Sequence, residues 1–119
     1  MKRALSLAAC VALALVATTA VARAQQQEQP DGKALYLKNC RQCHGTLGVP
    51  PKTMKAKFEK LADLSDASFI AKRTDDSLVA VIKRGVNNEK DMKGFSDKLT
   101  PAEMLAIAKY VRTLSVKSQ

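Results

Sequence analysis

The sequence contains little of what a catalytic site or a large core would need. It has one histidine, no tryptophan, two tyrosines and three phenylalanines among 119 residues. This length allows a single domain, and a chain so small buries too little apolar surface to be stable without an added source of core volume. If the histidine is engaged elsewhere, no evident general base remains. The composition therefore argues against an enzyme that acts by itself.

Long apolar runs are also absent, except at the N terminus. After Met1-Lys2-Arg3, residues 4–22 carry no charge, and Ala22-Arg23-Ala24 has the small-x-small form that signal peptidase cleaves. We predict a secretory signal peptide over residues 1–24 that is removed on export to the periplasm. The alternative is an uncleaved anchor, since about 18 apolar residues can span a bilayer. If the segment is cleaved, no stable membrane insertion is expected.

Cleavage after Ala24 would leave a basic protein. Removing Lys2, Arg3 and Arg23 from the 20 basic residues leaves 17, against 11 acidic residues, a net charge of +6. Such a charge favours partners with an acidic surface. Nucleic acid could use the same charge, but export argues against that partner. An oxidising compartment also disfavours free thiols, so the two cysteines that remain are expected to be bonded.

The strongest motif is Cys40-Arg41-Gln42-Cys43-His44, which is the C-x-x-C-H sequence of c-type haem attachment. Its two thiols add to the two vinyl groups of one porphyrin, and the following imidazole can ligate the iron. A thioredoxin-like motif would need a surrounding βαβ pattern, and structural zinc needs four ligands where the mature chain has three. We predict one covalent haem c, held by Cys40 and Cys43, with His44 as an axial ligand.

A second axial ligand is sought among the methionines, because methionine opposite histidine is common in haem proteins that carry electrons. Met54 and Met104 recur at helical spacing with apolar neighbours, so both are predicted to pack in the core. Met92 lies in the polar stretch 87–94, which has no helical period. A methionine in such a loop has no packing reason to be there. Met92 is therefore the predicted ligand; the alternative is a methionine that covers the haem edge without coordinating.

Helix signals recur along the chain without strand alternation, so the predicted fold class is all-α, with about four to five short helices around one haem. Asp31 caps a helix to about Asn39, and Thr74 caps a helix that ends at Gly85. A capping box, Thr100-Pro101-Ala102-Glu103, begins a last helix that runs to about Leu114. Its inward residues are predicted to be Met104, Ile107, Ala108, Val111 and Leu114.

The other segments follow from the same signals. Glycines and prolines predict a loop over 45–51, an amphipathic pattern predicts a helix over 52–63, and Ser65-Asp66 begins a short helical turn to Ile70. The predicted domain covers residues 31–116. A disordered segment, 25–30, precedes it, and a short tail, 117–119, follows it.

The chain resembles the class I (monohaem) cytochromes c from Gly32 to Leu114. The resemblance is carried by DGKALY at 31–36, CRQCHG at 40–45, MKGF at 92–95 and AKYVRTL at 108–114. It implies a small cytochrome c fold in which Gly32 and Tyr36 of the first helix meet Ile107 and Tyr110 of the last. The haem would then supply the missing core volume.

The resemblance implies a periplasmic one-electron carrier, since an iron with both axial positions occupied has no vacancy for a substrate. Two alternatives stay open. One is the dedicated cytochrome subunit of a periplasmic oxidoreductase, and the other is a gas-binding or gas-sensing haem protein. Redox partners are expected to dock on a basic rim around the haem edge. The lysines of this rim are Lys52, Lys55, Lys57, Lys60, Lys90 and Lys93.

The chain departs from the family at two positions. Lys93 follows Met92 where the family usually has proline, which predicts a less preorganised loop and a weaker iron–sulfur bond. The proline whose carbonyl accepts a hydrogen bond from the ligand histidine lies further downstream in longer members of the family. Pro50 or Pro51 is expected to take that role here, from a shortened loop.

Overall fold

A computed structural model describes residues 28–116 of the chain. This part contains six helices and no β-strand, so the all-α prediction is confirmed. The helices are α1 (Gly32–Asn39), α2 (Arg41–His44), α3 (Lys52–Lys57), α4 (Ala67–Ala71), α5 (Asp75–Arg84) and α6 (Pro101–Val116). The predicted signal peptide, the first residues of the segment 25–30 and the tail 117–119 lie outside the described residues.

Side-chain caps start the helices where the sequence predicts. The Asp31 carboxylate accepts hydrogen bonds from the backbone N–H groups of Lys33 (3.0 Å) and Ala34 (3.1 Å). At α6 the capping box is closed in both directions: Thr100 N–H donates to the Glu103 carboxylate at 2.8 Å, and Glu103 N–H donates to the Thr100 hydroxyl at 3.3 Å. These bonds satisfy N–H groups that the first turn of a helix leaves without partners.

The first and last helices cross, and the crossing depends on a glycine. A Cβ atom at Gly32 would overlap the carbonyl oxygen of Ala106 and lie 2.6 Å from its carbonyl carbon. Beside this contact Tyr36 is fully buried, and its ring centroid lies 5.3 Å from that of Tyr110. The predicted crossing is therefore confirmed. The five inward residues predicted for α6 are all buried.

Helix α6 also packs along α5, so that α1 and α5 are both held by the C-terminal helix. Arg112 of α6 forms an ion pair with Asp75 in the first turn of α5 and donates a second bond to the carbonyl of Arg73. Both charged side chains are about one third exposed, so the pair contributes little stability. It fixes where the start of α5 lies against α6.

The prediction of a helix over 52–63 is wrong in its second half. Helix α3 ends at Lys57, and Phe58 leaves the helical region with φ −130° and ψ 88°. Residues 58–63 are not helical, and residues 58–62 lie on the wall of a cavity. The apolar residues among them, Phe58, Leu61 and Ala62, line that cavity. Helical spacing of apolar residues does not distinguish a helix from such a cavity-lining segment.

The helix count also exceeds the expected four to five. Residues 41–44 form a separate turn of helix, because Cys40 (φ −117°, ψ −31°) interrupts the path of α1.

Candidate functional site

The attachment motif is held in a tight fold of the backbone. His44 N–H donates to the carbonyl of Cys40 at 3.0 Å, and Gly45 then adopts φ +76°. A side chain at Gly45 would overlap the carbonyl oxygen of Val49. The buried Tyr36 hydroxyl donates to the Gly45 carbonyl at 2.7 Å. Helix α1 therefore orients the end of the motif through one partly buried hydrogen bond.

The His44 imidazole lies half-buried at the cavity wall, with its Nδ1 atom 3.3 Å from the carbonyl oxygen of Ala62. A carbonyl can only accept, so Nδ1 carries the proton and Nε2 keeps a free lone pair. Burial lowers the pKa of His44, and the bond to Ala62 opposes this with a smaller effect. A neutral imidazole with a lone pair on Nε2 is the form that ligates a metal.

The acceptor for His44 is thus Ala62, and the expectation of Pro50 or Pro51 is wrong. Pro50 is buried, and Pro51 lies at the N-terminal end of α3. The Ala62 carbonyl reaches the histidine because Leu64 N–H donates to the carbonyl of Gly48 at 2.9 Å, which ties this segment to the loop after the motif. No short sequence pattern marks an alanine carbonyl as a partner for a histidine 18 residues earlier.

Both cysteines of the motif are half-buried, and no disulfide bond joins them. Cys40 lies on the cavity wall, whereas Cys43 is not among the lining residues. Before a thioether bond forms, burial, with a smaller effect from Cys43, raises the pKa of the Cys40 thiol to about 11. Within residues 28–116, no group of three His, Cys, Asp or Glu side chains is placed to hold a metal ion.

Met92 lies on the wall of the same cavity, half-buried, in a segment bonded to the end of α5. Its carbonyl accepts from Val86 N–H at 2.9 Å, and Phe95 N–H donates to the carbonyl of Ile82 at 2.9 Å. A Cβ atom at Gly85 would overlap the Met92 carbonyl oxygen. Residues 92–95, the methionine segment, therefore lie directly against the glycine that follows α5. Of the other two methionines within residues 28–116, Met104 is buried in the core as predicted, whereas Met54 is only half-buried and is not part of the core cluster, so the prediction of a core position for Met54 is wrong.

The cavity that joins these residues has a volume of about 690 Å³. This lies within the usual range of roughly 300–1,000 Å³ for cofactor sites. Its wall includes Cys40, His44 and Met92, and much of the remainder is apolar. Helices α5 and α6 supply Leu78, Val81, Ile82, Ile107, Ala108 and Val111. A large apolar cofactor with an imidazole and the Cys40 thiol on its wall fits this site; Cys43, three residues further along the same motif, does not itself line the cavity.

Charged groups lie on the wall as well. The cations are Lys57, Lys60 and Arg73, and the acids are Glu59 and Asp91. The Arg73 guanidinium stacks on the Phe69 ring, 3.4 Å from its centroid, and Nη1 donates to the Phe69 carbonyl at 2.7 Å. The sequence offered no signal for Arg73, which stands between two helices among other charged residues.

Comparison with known proteins identifies the family. The family model described as "Cytochrome C oxidase, cbb3-type, subunit III" matches residues 27–111. The chain belongs to this family of c-type cytochromes. Among solved structures, the Kustc0563 c-type cytochrome is similar at 33% identity with a TM-score of 0.63, over 71% of this chain and 98% of that one. A Tyr-to-Phe mutant of the same protein is similar at 32% identity and a TM-score of 0.62, over 71% and 99%. No curated protein sequence matches the chain.

Membership of this family identifies the protein as an electron-transfer protein and not an enzyme. It also implies a covalently bound haem c and redox partners. The predicted resemblance to the monohaem c-type cytochromes is confirmed. None of the helices within residues 28–116 is long and apolar enough to cross a membrane.

Proposed function

We propose that this cytochrome is a periplasmic one-electron carrier with one haem, joined through thioether bonds to Cys40 and Cys43 and ligated by His44 and Met92. The observation that carries the proposal is that His44, with its free lone pair on Nε2, and Met92 lie on the wall of one cavity. The periplasmic location rests on the signal-peptide pattern of residues 1–24.

When bound, the haem supplies reversible one-electron exchange at its iron, and a methionine ligand favours the reduced form. The chain's own residues provide what this exchange needs. Ala62 orients the His44 ring and leaves Nε2 free. The apolar side chains of α5 and α6 exclude water from the cavity and lower its dielectric constant. Two thioether bonds would hold the haem in place, and the haem itself would fill the core volume that the side chains do not.

The first test is the visible absorption spectrum of protein matured in an exporting, haem-attaching host. It is recorded oxidised, reduced, and reduced with carbon monoxide. A low-spin spectrum that the gas leaves unchanged supports ligation by both side chains, and haem that stays with the denatured polypeptide supports attachment through the cysteines. A high-spin spectrum or ready binding of the gas contradicts methionine ligation and favours the gas-binding alternative.

The family model favours a second candidate, because its description is that of an oxidase subunit. In this case the cytochrome is a dedicated subunit of a periplasmic oxidoreductase, and catalysis belongs to another chain. Purification from the native periplasm distinguishes the two candidates. A carrier elutes as a monomer, whereas a subunit elutes with a partner in fixed ratio.

The lysines near the cavity are expected to direct docking to acidic partners. Of the six lysines predicted to form the rim, Lys57 and Lys60 are exposed and lie on the cavity wall, whereas the other four do not line it. Changing both to glutamate should slow electron exchange with an anionic reagent such as ferricyanide about three- to tenfold at low salt, because steering by surface charge acts over the Debye length. The difference should shrink as salt is added.

The matched control for this experiment is the double variant Lys33→Glu/Lys109→Glu, which reverses two exposed charges away from the cavity wall. It should slow the reaction much less than the double substitution on the wall. Equal slowing by the two double variants would mean that net charge alone matters, and would contradict a docking rim at the cavity.

Arg73 is expected to offset the negative charge of the haem carboxylates, since it is a cation held at the cavity wall by Phe69. Arg73→Gln should lower the midpoint potential by roughly 20–60 mV, because losing a nearby positive charge disfavours the reduced iron. Redox titration measures this shift. Arg84→Gln is the control, as Arg84 is exposed and does not line the cavity. A shift of the same size in both variants contradicts the assignment.

A further inference from the structure

The loop before Met92 has an unusual backbone. Asn87, Asn88 and Glu89 are consecutive residues with φ of +54°, +51° and +64°. Asparagine adopts this left-handed region more readily than most residues, but glutamate does not. Backbone strain of this kind persists where surrounding contacts hold it, and it is concentrated at functional sites. Some contact of Glu89 must therefore compensate for its conformation.

That contact is made with the methionine segment. The Glu89 Oε1 atom accepts the backbone N–H of Gly94 at 2.9 Å. Gly94 lies against the end of α5, since a Cβ atom there would be 2.6 Å from the Lys83 carbonyl oxygen and 2.9 Å from Glu89 Oε1. The left-handed turn thus folds the Glu89 side chain back across the chain, two residues beyond Met92.

The methionine segment is consequently bonded at several of its residues. Met92 is bonded to Val86, just after α5, and Phe95 is bonded to Ile82 in α5. Gly94 is bonded to the Glu89 side chain. Lys93, between them, cannot restrict the backbone as a proline would. The Glu89 carboxylate therefore restrains the backbone next to Lys93, where a proline would have restrained it directly.

We propose that Glu89 is a positioning residue for Met92: its carboxylate holds Gly94, and through it the backbone that presents the methionine sulfur to the haem iron. The proposal rests on ligation by Met92 as proposed above. It assigns the hydrogen bond, and not the negative charge, as the feature that matters.

Three variants of the holoprotein separate the hydrogen bond from the charge. Glu89→Gln keeps an acceptor oxygen at the same reach and loses the charge. Glu89→Asp keeps the charge but is one methylene shorter, and aspartate tolerates a positive φ better than glutamate does. Glu89→Ala loses both. The readouts are the affinity of the oxidised protein for imidazole, which competes with the methionine, and the long-wavelength absorption band of the Fe(III)–sulfur bond.

Glu89→Ala and Glu89→Asp should each bind imidazole about fivefold more tightly than the wild type and show a weaker band, because the loop releases Met92 more easily. Glu89→Gln should stay within twofold of the wild type. The opposite grouping, in which Glu89→Gln behaves as Glu89→Ala and Glu89→Asp behaves as the wild type, overturns the proposal in favour of a charge effect. Equal affinities in all four proteins overturn it outright.

Failure of the function proposed above would look different. In that case the wild type itself lacks the iron–sulfur band, and this inference falls with it. If the wild type has the band and the variants do not differ, ligation by Met92 stands and only the role of Glu89 is lost.

Discussion

Met92→Ala is expected to let the reduced cytochrome bind carbon monoxide and to lower its midpoint potential by on the order of 100 mV or more. The sulfur of Met92 is the proposed sixth ligand, and its removal leaves that position to water or gas. Methionine raises the potential of haem iron, so its loss favours the oxidised form. Spectra with and without the gas, together with a redox titration, measure both effects.

Met54→Ala is the matched control, because Met54 is equally half-buried but does not line the cavity. Its spectrum and potential should equal those of the wild type. The prediction is contradicted if Met92→Ala keeps the low-spin, gas-insensitive spectrum. Loss of that spectrum in Met54→Ala would contradict it more strongly, because it would point to the wrong methionine as the ligand.

Gly32→Ala is expected to destabilise the protein by about 3 kcal/mol or more, at the upper end of the cost of overpacking. Helix propensity alone predicts the opposite sign, since alanine is better than glycine in a helix by about 1 kcal/mol. The added Cβ atom would overlap the backbone carbonyl of Ala106, which no rotamer change can move. Helices α1 and α6 would have to separate, and the packing of Tyr36 would suffer.

Denaturant unfolding of the holoprotein measures this cost. Lys33→Ala serves as the control, since Lys33 is the next residue of the same helix and is exposed. Its free energy of unfolding should lie within about 0.5 kcal/mol of the wild type. A Gly32→Ala protein as stable as the control would show that the crossing adjusts freely and that the glycine is not required there.

Much of the fold was predictable because its signals are local. Asp31, Thr74 and the Thr100–Glu103 pair start their helices by bonds to residues two or three positions away. The buried face of α6 follows from spacing within one helix. The crossing of α1 and α6 came from the family resemblance, and Gly32 confirms its reason. The prediction failed at α3, where apolar spacing continued past Lys57 although the helix did not.

The sequence by itself determined the family, the attachment motif and the residues offered as haem ligands, because a five-residue motif and a methionine in a polar loop are read without knowing the fold. Only the tertiary structure decided that the Ala62 carbonyl partners His44 and that Glu89 holds Gly94. It also decided that Arg73 lies on the cavity wall. The first two are backbone contacts, and all three depend on how the chain folds around a cavity. Such contacts leave no periodic or short-range pattern, so they appear only when distant segments are brought together.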